Sequence, residues 1–307
     1  RWHFPHPIND LCGIDTVAEK FFIPLLNAIP RLRKRDYMLF SGDVSGEWVC
    51  SSGNYIGAFE HDFLDIPCTA RCVWVRYGDF YHFKNGLISE VYSMLDLLDW
   101  IRQAGYRLVP AVAPLIIIPG PETCDGILLG AEDPSETERT RSLVTAMFGG
   151  LDKVKEAFVV HRNQGLTDME EDAIFWDPEM MWYGPAGIGT TFGIDGYELH
   201  HGRPMLKAVP DRVIGDHFCW CFEGHYSAIG GWPLVYATHT GSNWFGLPPT
   251  GRKLTLRVMN FWRRDAEKLA ENWIFYDVID LFQQLDINLF DRLRQLHHRS
   301  DAYYFGN

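Results

Sequence analysis

A ten-residue pattern occurs twice in this chain and constrains its fold more than any other feature. The string "EVYSMLDLLD" begins at Glu90, and "ENWIFYDVID" begins at Glu271. Both strings place a Glu, an aromatic residue and two Asp residues at the same spacing. Nearer the start of the chain, the repeat continues with an offset of 180 residues, which relates Trp2 to Trp182. A solenoid needs three or more short repeats, so two long copies indicate two homologous domains.

The extent of the repeat gives the expected domain boundaries. We assign residues 1–105 to the first domain, 106–132 to a linker, 133–288 to the second domain and 289–307 to a C-terminal tail. An amphipathic segment and an acidic segment precede Trp182, whereas a single residue precedes Trp2. We therefore expect that the opening helix of the first domain belongs to a segment that this sequence omits.

Composition argues against several classes of partner. A net charge of −12 and a pI near 5.4 disfavour nucleic acid and anionic membranes, which proteins recognise mainly through Lys and Arg. The longest apolar run, "LVPAVAPLIIIPG", is interrupted by Pro110 and Pro114 and is too short to span a bilayer. Seven cysteines without a framework spacing favour thiols in a reducing compartment, so we expect a cytoplasmic location.

Each copy has helices first and strands afterwards. The string "DTVAEKFFIPLLNAIP" has apolar residues at helical spacing after the N-cap candidate Asp15, and the second copy does the same after Asp195. Runs rich in aromatic and β-branched residues follow, and Asn85-Gly86 is a turn signal for the last hairpin of the first copy. This order predicts an α+β fold, formed twice.

Parity along the last hairpin brings an Arg and an Asp together in each copy. Folding the hairpin about Glu267 sets Arg257 opposite Asp277, and the same construction sets Arg76 near Asp96. One interpretation is an ordinary cross-strand ion pair. The other is a general acid or base, because burial among aromatic residues raises a carboxyl pKa while the Arg lowers it.

The second copy resembles a known family. The strings "WYGPAGIGTTFGIDGYELHHGRPMLKAVPDR" and "THTGSNWFGLPPTGRKLTLRVMNFWRRDAEKLAENWIFYDVIDLFQQLDIN" are similar to the SnoaL-like polyketide cyclase (ester cyclase) family of the nuclear transport factor 2-like superfamily, in its tandem two-domain form. The likeness is weaker in the first copy, where "IPCTAR" replaces Pro-Pro-Thr-Gly-Arg and Tyr92 replaces Trp273.

The resemblance implies both a fold and a chemistry. It implies a cone-shaped α+β barrel in each copy, with a ligand pocket between sheet and helices, and general acid/base catalysis by an acidic pocket residue without metal or cofactor. By motif position that residue is Asp277, with Asp96 as its counterpart. Related epoxide hydrolases have an Arg and an Asp two residues apart on a strand. In this chain Met259 follows Arg257 at that spacing and Gly78 follows Arg76, which argues against epoxide hydrolysis.

Further residues are candidates for the site. His239 lies just before the motif loop and is a candidate acid/base partner of Asp277, and Arg257 is the third catalytic candidate. Each candidate has a structural alternative, because buried Trp residues and strand His residues commonly serve packing or hydrogen bonding. The first-copy equivalents are Asp96, Arg76 and Tyr92. The substrate-binding candidates are Trp273, Phe261, Met259, Phe275, His217, Glu223, Trp182 and Tyr183.

Two further patterns concern metals and domain packing. The pair Cys219-x-Cys221 is a candidate metal-binding motif. Structural zinc sites, however, favour Cys-x-x-Cys, and a small buried Cys usually serves packing in the core. We therefore expect no metal and no cofactor. The strand face with Phe218, Trp220 and Phe222 is apolar too, so the sheet needs a second cover. We expect the two copies to pack sheet to sheet as an intramolecular pseudo-dimer, and a homodimer of the whole chain is also open.

Several functions are open at this point. The leading hypothesis is a cofactor-independent acid/base enzyme that acts on a hydrophobic carbonyl compound by polyketide-type cyclisation, aldol chemistry or isomerisation. The alternatives are a protein that binds an aromatic or lipid-like small molecule without chemistry, a hydrolase of the same superfamily, and a structural role. We expect the second copy to be the active one, because the first copy has lost Trp273, His239 and the motif loop.

Overall fold

The computed structural model describes residues 1–42, 47–110, 116–160 and 173–305, with side chains described outside 149–160 and 299–305. Part of the expected linker (111–115) and part of the second domain (161–172) therefore lie outside the described residues.

The first domain contains six strands and three short helices among the residues that the structure describes. The two helices before β3 are joined by one π-helical turn, Ala18–Phe22. The elements are β1 (Trp2–His3), β2 (Asp10–Leu11), α1 (Ile14–Val17), α2 (Ile23–Ala28), β3 (Arg33–Ser41), β4 (Trp48–Ala58), β5 (Cys72–Lys84), β6 (Leu87–Leu95) and α3 (Leu97–Gln103).

The second domain repeats this order after a long helix. A π-helical turn, Glu198–Gly202, again joins two short helices, and a 3₁₀ turn spans Trp244–Gly246. The elements are α4 (Pro134–Val160), β7 (Trp176–Tyr183), β8 (Thr190–Phe192), α5 (Gly193–Tyr197), α6 (Arg203–Ala208), β9 (Val213–Ile214), β10 (Cys219–Glu223), β11 (Tyr226–Thr238), β12 (Lys253–Asp265), β13 (Lys268–Tyr276) and α7 (Val278–Gln284). The residues expected as a tail form α8 (Leu289–Phe305).

Both sheets have the same topology. The first has the order β2-β1-β6-β5-β4-β3, and the second has β10-β11-β12-β13-β7-β8, with β9 pairing β11. Each contains one parallel pair, β1 with β6 and β7 with β13, while the other pairs are antiparallel. The predicted α+β class and the two tandem units are confirmed.

The predicted helix starts are wrong by a small margin. The first helix begins at Ile14 after an N-cap at Gly13, and its counterpart begins at Gly193 after Phe192. Asp15 lies in the first turn instead of at the cap, where a carboxylate still interacts favourably with the helix dipole. Gly13 has φ 84°, and this left-handed conformation explains why a glycine precedes the helix.

The two sheets pack face to face, which confirms the expected sheet-to-sheet packing. Side chains from both sheets form one buried cluster, which we call the intersheet core. Phe80 and Phe261 meet at its centre, with ring centroids 5.4 Å apart. Its buried members are Met38, Phe40, Trp48, Cys50, Phe80, Met94, Tyr183, Cys219, Cys221, Tyr226, Ala228, Met259, Phe261, Trp273 and Phe275.

Gly78 lets the sheets approach each other at one point of this core. A Cβ added there would stand 3.1 Å from the Phe275 ring and 3.2 Å from the Phe261 ring. These distances are tighter than ordinary contacts, so a side chain would push the second sheet away. The Gly that departs from the epoxide hydrolase pattern therefore has a packing function.

The opposite side of each sheet, which we call the helix-side face, packs against the helices of its own domain. Leu256, Val258 and Tyr276 lie there in the second domain, and Val75, Tyr77 and Leu95 take the corresponding positions in the first. Each sheet is thus buried on both faces, so the alternation of apolar and polar residues that marks a half-exposed strand is weak.

One detail of the predicted packing is wrong. Trp220 and Phe222 were expected to face the other sheet, but they belong to the helix side, where the Trp220 ring lies 5.1 Å from Phe148 of α4. Cys219 and Cys221 face the other sheet instead. Phe218 does reach the intersheet core, because it precedes β10, and its ring stacks on Tyr92 at 3.8 Å.

Among the described residues, no helix is both long and apolar enough to cross a membrane.

The intersheet core predicts a large effect of Phe80→Ala. Phe80 is fully buried between the sheets, and its truncation should lower the free energy of unfolding by about 3–5 kcal/mol in urea denaturation. Phe192, which is 63% exposed, provides the matched control, and Phe192→Ala should change the free energy by less than about 0.5 kcal/mol. Equal effects of the two substitutions would contradict the sheet-to-sheet arrangement.

Candidate functional site

Four of the expected substrate-binding residues lie between the sheets. Met259, Phe261, Trp273 and Phe275 are at most 1% exposed and belong to the intersheet core. The indole N–H of Trp273 donates to the Pro119 carbonyl at 2.9 Å. These four side chains were expected to line a pocket between the sheet and the helices. That expectation is wrong, because their alternate strand positions point towards the other domain.

Asp277 lies at the junction of the two domains. It caps α7, accepting the Asp280 amide at 3.1 Å, and it accepts the His6 amide of the first domain at 2.9 Å. Arg257 donates to it at 3.0 Å, as the hairpin parity predicted, and also reaches Asn9 at 3.2 Å. Burial raises the pKa of Asp277 to about 7, against the opposing effects of Arg257 and the two amides.

Asp96 repeats this arrangement in the other direction. It caps α3 through the Asp99 amide at 3.1 Å and accepts the Ala186 amide of the second domain at 3.0 Å. Ala186 follows His6 by the repeat offset of 180 residues, so the two contacts are equivalent. Burial, opposed by Arg76, raises the pKa of Asp96 to about 6. We call this reciprocal pair of contacts the aspartate clasp.

The two arginines and Tyr92 also serve the junction. Arg76 is 2% exposed, donates to the Tyr183 carbonyl at 3.0 Å and lies 3.9 Å above the Phe275 ring. Its nearest contact with Asp96 is 3.8 Å. Tyr92 stacks on His3 at 4.2 Å. These residues bind groups of the protein itself, and none of them lies on a helix-side face.

His239 holds the motif loop together. Its Nδ1 lies 3.1 Å from the Thr250 hydroxyl, and its carbonyl accepts the Gly251 amide at 2.8 Å. In the first domain Phe59 makes the equivalent backbone contacts in the core, accepting from Ala70 at 2.8 Å. Burial lowers the pKa of His239, so this ring is neutral at physiological pH.

The other expected candidates are divided between several surroundings. Trp182 lies on the helix side, stacked on His201 at 4.5 Å, and the His217 ring lies 4.5 Å from Trp220 on that side. Tyr183 belongs to the intersheet core and donates to Glu271 at 3.1 Å. Glu223 accepts the Glu132 amide at 2.6 Å, which ties β10 to the segment before α4. Trp182 and His217 are therefore the expected candidates that the structure places on a helix-side face.

The helix-side face of the first domain carries an ionisable cluster that the sequence analysis missed. Asp79, with a side chain only 3% exposed, accepts the Tyr81 and Ser93 hydroxyls at 2.7 Å each. The Ser93 hydroxyl in turn accepts the Trp2 indole N–H at 2.7 Å. This buried carboxylate is thereby held at a fixed position among hydroxyl groups.

Lys34 joins Asp79 to a second carboxylate. Its ammonium lies 3.3 Å from both Asp79 and Asp36, 3.2 Å from the Tyr81 hydroxyl, and 4.5 Å above the Tyr77 ring. Tyr77 and Ser51 both donate to Asp36. Burial would raise the pKa of Asp36, but the Tyr77 hydrogen bond and the Lys34 charge outweigh it, so its pKa is lowered. The side chains of Lys34 and Asp36 are 32% and 31% exposed, so the cluster reaches solvent.

The sequence contained a signal for this cluster. Lys34 and Asp36 alternate along β3, and Tyr77, Asp79 and Tyr81 alternate along β5, so each set shares a face. Polar residues at every second position of a long apolar strand indicate a polar patch within a buried face. Of these residues only Asp36 has an identical counterpart in the second copy, Asp216, so the repeat does not mark the cluster.

The second domain has neutral residues where the first has Lys34, Asp79 and Tyr81, whereas Asp216, the counterpart of Asp36, is exposed. Asn260 and Trp262 stand where the offset of 181 places Asp79 and Tyr81, and Ile214 aligns with Lys34. Cross-strand pairing sets Ser227 and Asn272 on either side of Trp262, and Asn272 beside Trp182. Among the described contacts, the buried Ser227 hydroxyl and Trp262 indole N–H have no hydrogen-bond partner. This face presents aromatic rings with neutral polar groups.

One group of side chains has the composition of a metal site. Cys50 of β4 and Cys219 and Cys221 of β10 place their sulfur atoms within 4.8 Å of one another inside the intersheet core. Spacing along the chain could not show this group, because Cys50 comes from the other domain.

Comparison with known proteins identifies the second domain. Residues 166–285 match the family model for SnoaL-like polyketide cyclases. The second domain is a SnoaL-like domain. The recognition made from the motif strings is confirmed for this copy. A comparison with curated protein sequences gives no significant match.

Solved structures similar to this chain have low sequence identity to it. A candidate SnoaL-like polyketide cyclase from Jannaschia is 12% identical, covering 51% of this chain and 97% of its own, with a TM-score of 0.38. IdmH, a candidate polyketide cyclase from Streptomyces antibioticus, is 20% identical over 51% and 100% of the two chains, with a TM-score of 0.32. An NTF2-like protein from Burkholderia xenovorans is 13% identical over 51% and 99%, with a TM-score of 0.33.

The aspartate clasp predicts a structural cost for Asp277→Ala. The substitution removes the α7 cap and the acceptor of the His6 amide, and it leaves Arg257 without its carboxylate. We expect the free energy of unfolding to fall by about 2–4 kcal/mol, measured by urea denaturation. Asp96→Ala should have a similar effect, whereas Asp265→Ala, at a side chain that is 70% exposed, should have almost none. A clasp variant as stable as the Asp265 control would exclude the clasp.

Proposed function

We propose that the protein is an acid/base enzyme that acts on a hydrophobic carbonyl compound, with its catalytic groups on the helix-side face of the first domain. The observation that carries this proposal is the Lys34 ammonium held between two carboxylates, 3.3 Å from Asp36 and 3.3 Å from Asp79. Two carboxylates, one of them reachable from solvent, with a cation and a phenol alongside supply a base and a stabiliser of negative charge.

Asp36 is the proposed general base. Its lowered pKa keeps it ionised near neutral pH, and its partial exposure lets a ligand reach it. A carboxylate with a low pKa is a weak base, so its substrate must carry an acidic C–H. A carbon between two carbonyl groups meets this requirement, as in a 1,3-diketone or a β-keto ester of polyketide type.

Lys34 is proposed to stabilise the enolate. When Asp36 takes the proton from the α carbon, the electron pair moves to the carbonyl oxygen, and the Lys34 ammonium, which the Tyr81 oxygen helps to hold in place, stabilises that charge. Asp79 acts as a positioning residue, because it holds the Tyr81 hydroxyl and Lys34 in place. The enolate carbon then attacks a second carbonyl or is reprotonated, and Asp36 returns the proton.

The surroundings of the cluster favour a hydrophobic, planar compound. Tyr55 stacks beside Tyr77 at 4.8 Å, and Trp2 stacks on Phe4 at 5.3 Å next to Ser93. These rings and the cluster share one side of the sheet, between β1 and β3. Aromatic rings around a few polar groups are typical of small-molecule sites.

The proposed base predicts the behaviour of Asp36→Asn. In deuterium oxide, the wild-type protein should catalyse exchange of the central proton of an aromatic 1,3-diketone, followed by NMR. The substitution keeps the shape but removes the base, so exchange should slow by about 100-fold or more. Lys34→Met should also slow exchange, because it removes the charge that stabilises the enolate.

Two controls make this experiment decisive. Glu19→Gln changes an exposed carboxylate in the same domain and should leave the exchange rate unchanged. Asp277→Asn tests the expectation carried over from the family resemblance, with His239 and Arg257 as its expected partners. Loss of exchange in Asp277→Asn with full activity in Asp36→Asn would place the base in the second domain and overturn the present assignment.

A second candidate function is the binding of a neutral aromatic ligand by the SnoaL-like domain. The specific observation is the pair of buried groups without a partner among the described contacts, the Ser227 hydroxyl and the Trp262 indole N–H. A buried polar group without a partner costs free energy, and a ligand carbonyl that accepts from both would remove this cost.

This binding function predicts a specific effect of Trp262→Phe. The substitution keeps an aromatic ring and removes the N–H, so affinity for an aromatic ketone should fall about 5- to 20-fold, the loss expected for one hydrogen bond. Isothermal titration calorimetry measures the change. Trp74→Phe, at a ring that is 48% exposed, is the matched control and should bind as the wild type does. Equal affinity of the Trp262 variant and the wild type would exclude this site.

A further inference from the structure

The two sheets bring together three cysteines from different domains. Cys50 lies on β4, and Cys219 and Cys221 lie two residues apart on β10, so all three face the space between the sheets. Their sulfur atoms lie within 4.8 Å of one another, and those of Cys219 and Cys221 are 3.4 Å apart. All three residues are at most 3% exposed.

These distances match the requirements of one metal ion. A metal–sulfur bond of about 2.3 Å sets three sulfur atoms around a trigonal ion about 4 Å apart. The Cys219 and Cys221 sulfur atoms are 3.4 Å apart and no pair is more than 4.8 Å apart, so small rotamer changes would complete the geometry. Three sulfur atoms that point at one another from two chain segments therefore have the spacing of a closed ligand set.

The ligand set favours a soft, three-coordinate ion. Thiolate ligands select copper(I), zinc and iron–sulfur clusters, but structural zinc almost always takes four ligands. Among the described residues, no His, Asp or Glu joins the three sulfur atoms. Met38, Met94 and Met259 belong to the same core, so the wider surroundings offer further sulfur, which copper(I) also accepts.

We propose that Cys50, Cys219 and Cys221 form a copper(I) site that cross-links the two sheets. Each sulfur that binds as a thiolate releases one proton, and copper stays in its monovalent state, so no electron is transferred. Because the site is buried between two domains, loading accompanies folding or domain closure. The site reverses the expectation of no metal, which considered only the two cysteines of one strand.

The test uses the full chain with its four exposed cysteines replaced by Ser, at Cys12, Cys68, Cys72 and Cys124. This protein is unfolded and then refolded without oxygen in the presence of copper(I). It is next incubated with a chromophoric copper(I) chelator, which removes weakly bound copper, and then analysed for metal content. We expect one copper per chain after the chelator step, sulfur-only coordination by X-ray absorption, and a Tm several degrees above that of the copper-free protein.

Variants locate the ligands. Cys50→Ala and Cys219→Ala should each abolish copper retention, whereas Ser52→Ala, a buried neighbour of Cys50, should keep it. Far-UV circular dichroism checks that each variant folds. If a variant does not fold, the site is still tested by X-ray absorption of the protein that keeps Cys50, Cys219 and Cys221, which gives the number of sulfur ligands. No copper after the chelator step, retention in a folded Cys50→Ala protein, or preferential binding of zinc would each overturn the proposal.

Discussion

Burial of both faces of each sheet is the constraint on which the rest of this structure depends. The intersheet core covers one face with the other domain's side chains, and the helices cover the second face. Burial of apolar surface is the main driving force of folding. The stability of each sheet therefore depends on its contact with the other sheet. Charged groups near the junction must then be satisfied by the other domain. Arg76, which is 2% exposed, meets this requirement by donating to the Tyr183 carbonyl across the junction.

The repeated motif has a structural explanation in every position. Its Glu binds a neighbour on the adjoining strand, His3 for Glu90 and Tyr183 for Glu271. Its aromatic residue, Tyr92 or Trp273, packs at the junction, and its first Asp forms the aspartate clasp. The last Asp lies in the first helical turn, where Asp99 binds Arg102 and Asp280 binds Gln284. A motif that serves domain packing must be present in both copies whether or not both copies bind a ligand.

The sequence was sufficient for the architecture and insufficient for the orientation of the sheets. The repeat offset, the α+β order and the pairing of Arg257 with Asp277 are all confirmed, because they depend on spacing and on hairpin parity, which are local properties. Parity assigns residues to two faces, but it does not say which face meets the helices. That choice is normally read from polarity, and here both faces are apolar. Met259 and Phe261 were therefore assigned to the wrong side, and Cys50 could not be placed beside Cys219 at all.

The divergence between the copies separates structural from functional residues more clearly than their similarity does. The clasp aspartates, the aromatic positions and the strand order are shared, as packing across a pseudo-twofold junction requires. On the helix-side faces the copies differ in charge, with Asp79, Tyr81 and Lys34 in one and Asn260, Trp262 and Ile214 in the other. A junction between the domains does not constrain these positions, since they face away from it. Residues that are buried, polar and different between two copies of one scaffold are therefore the ones that a ligand has to account for, and in this chain they form an ionisable face in one domain and a neutral face in the other.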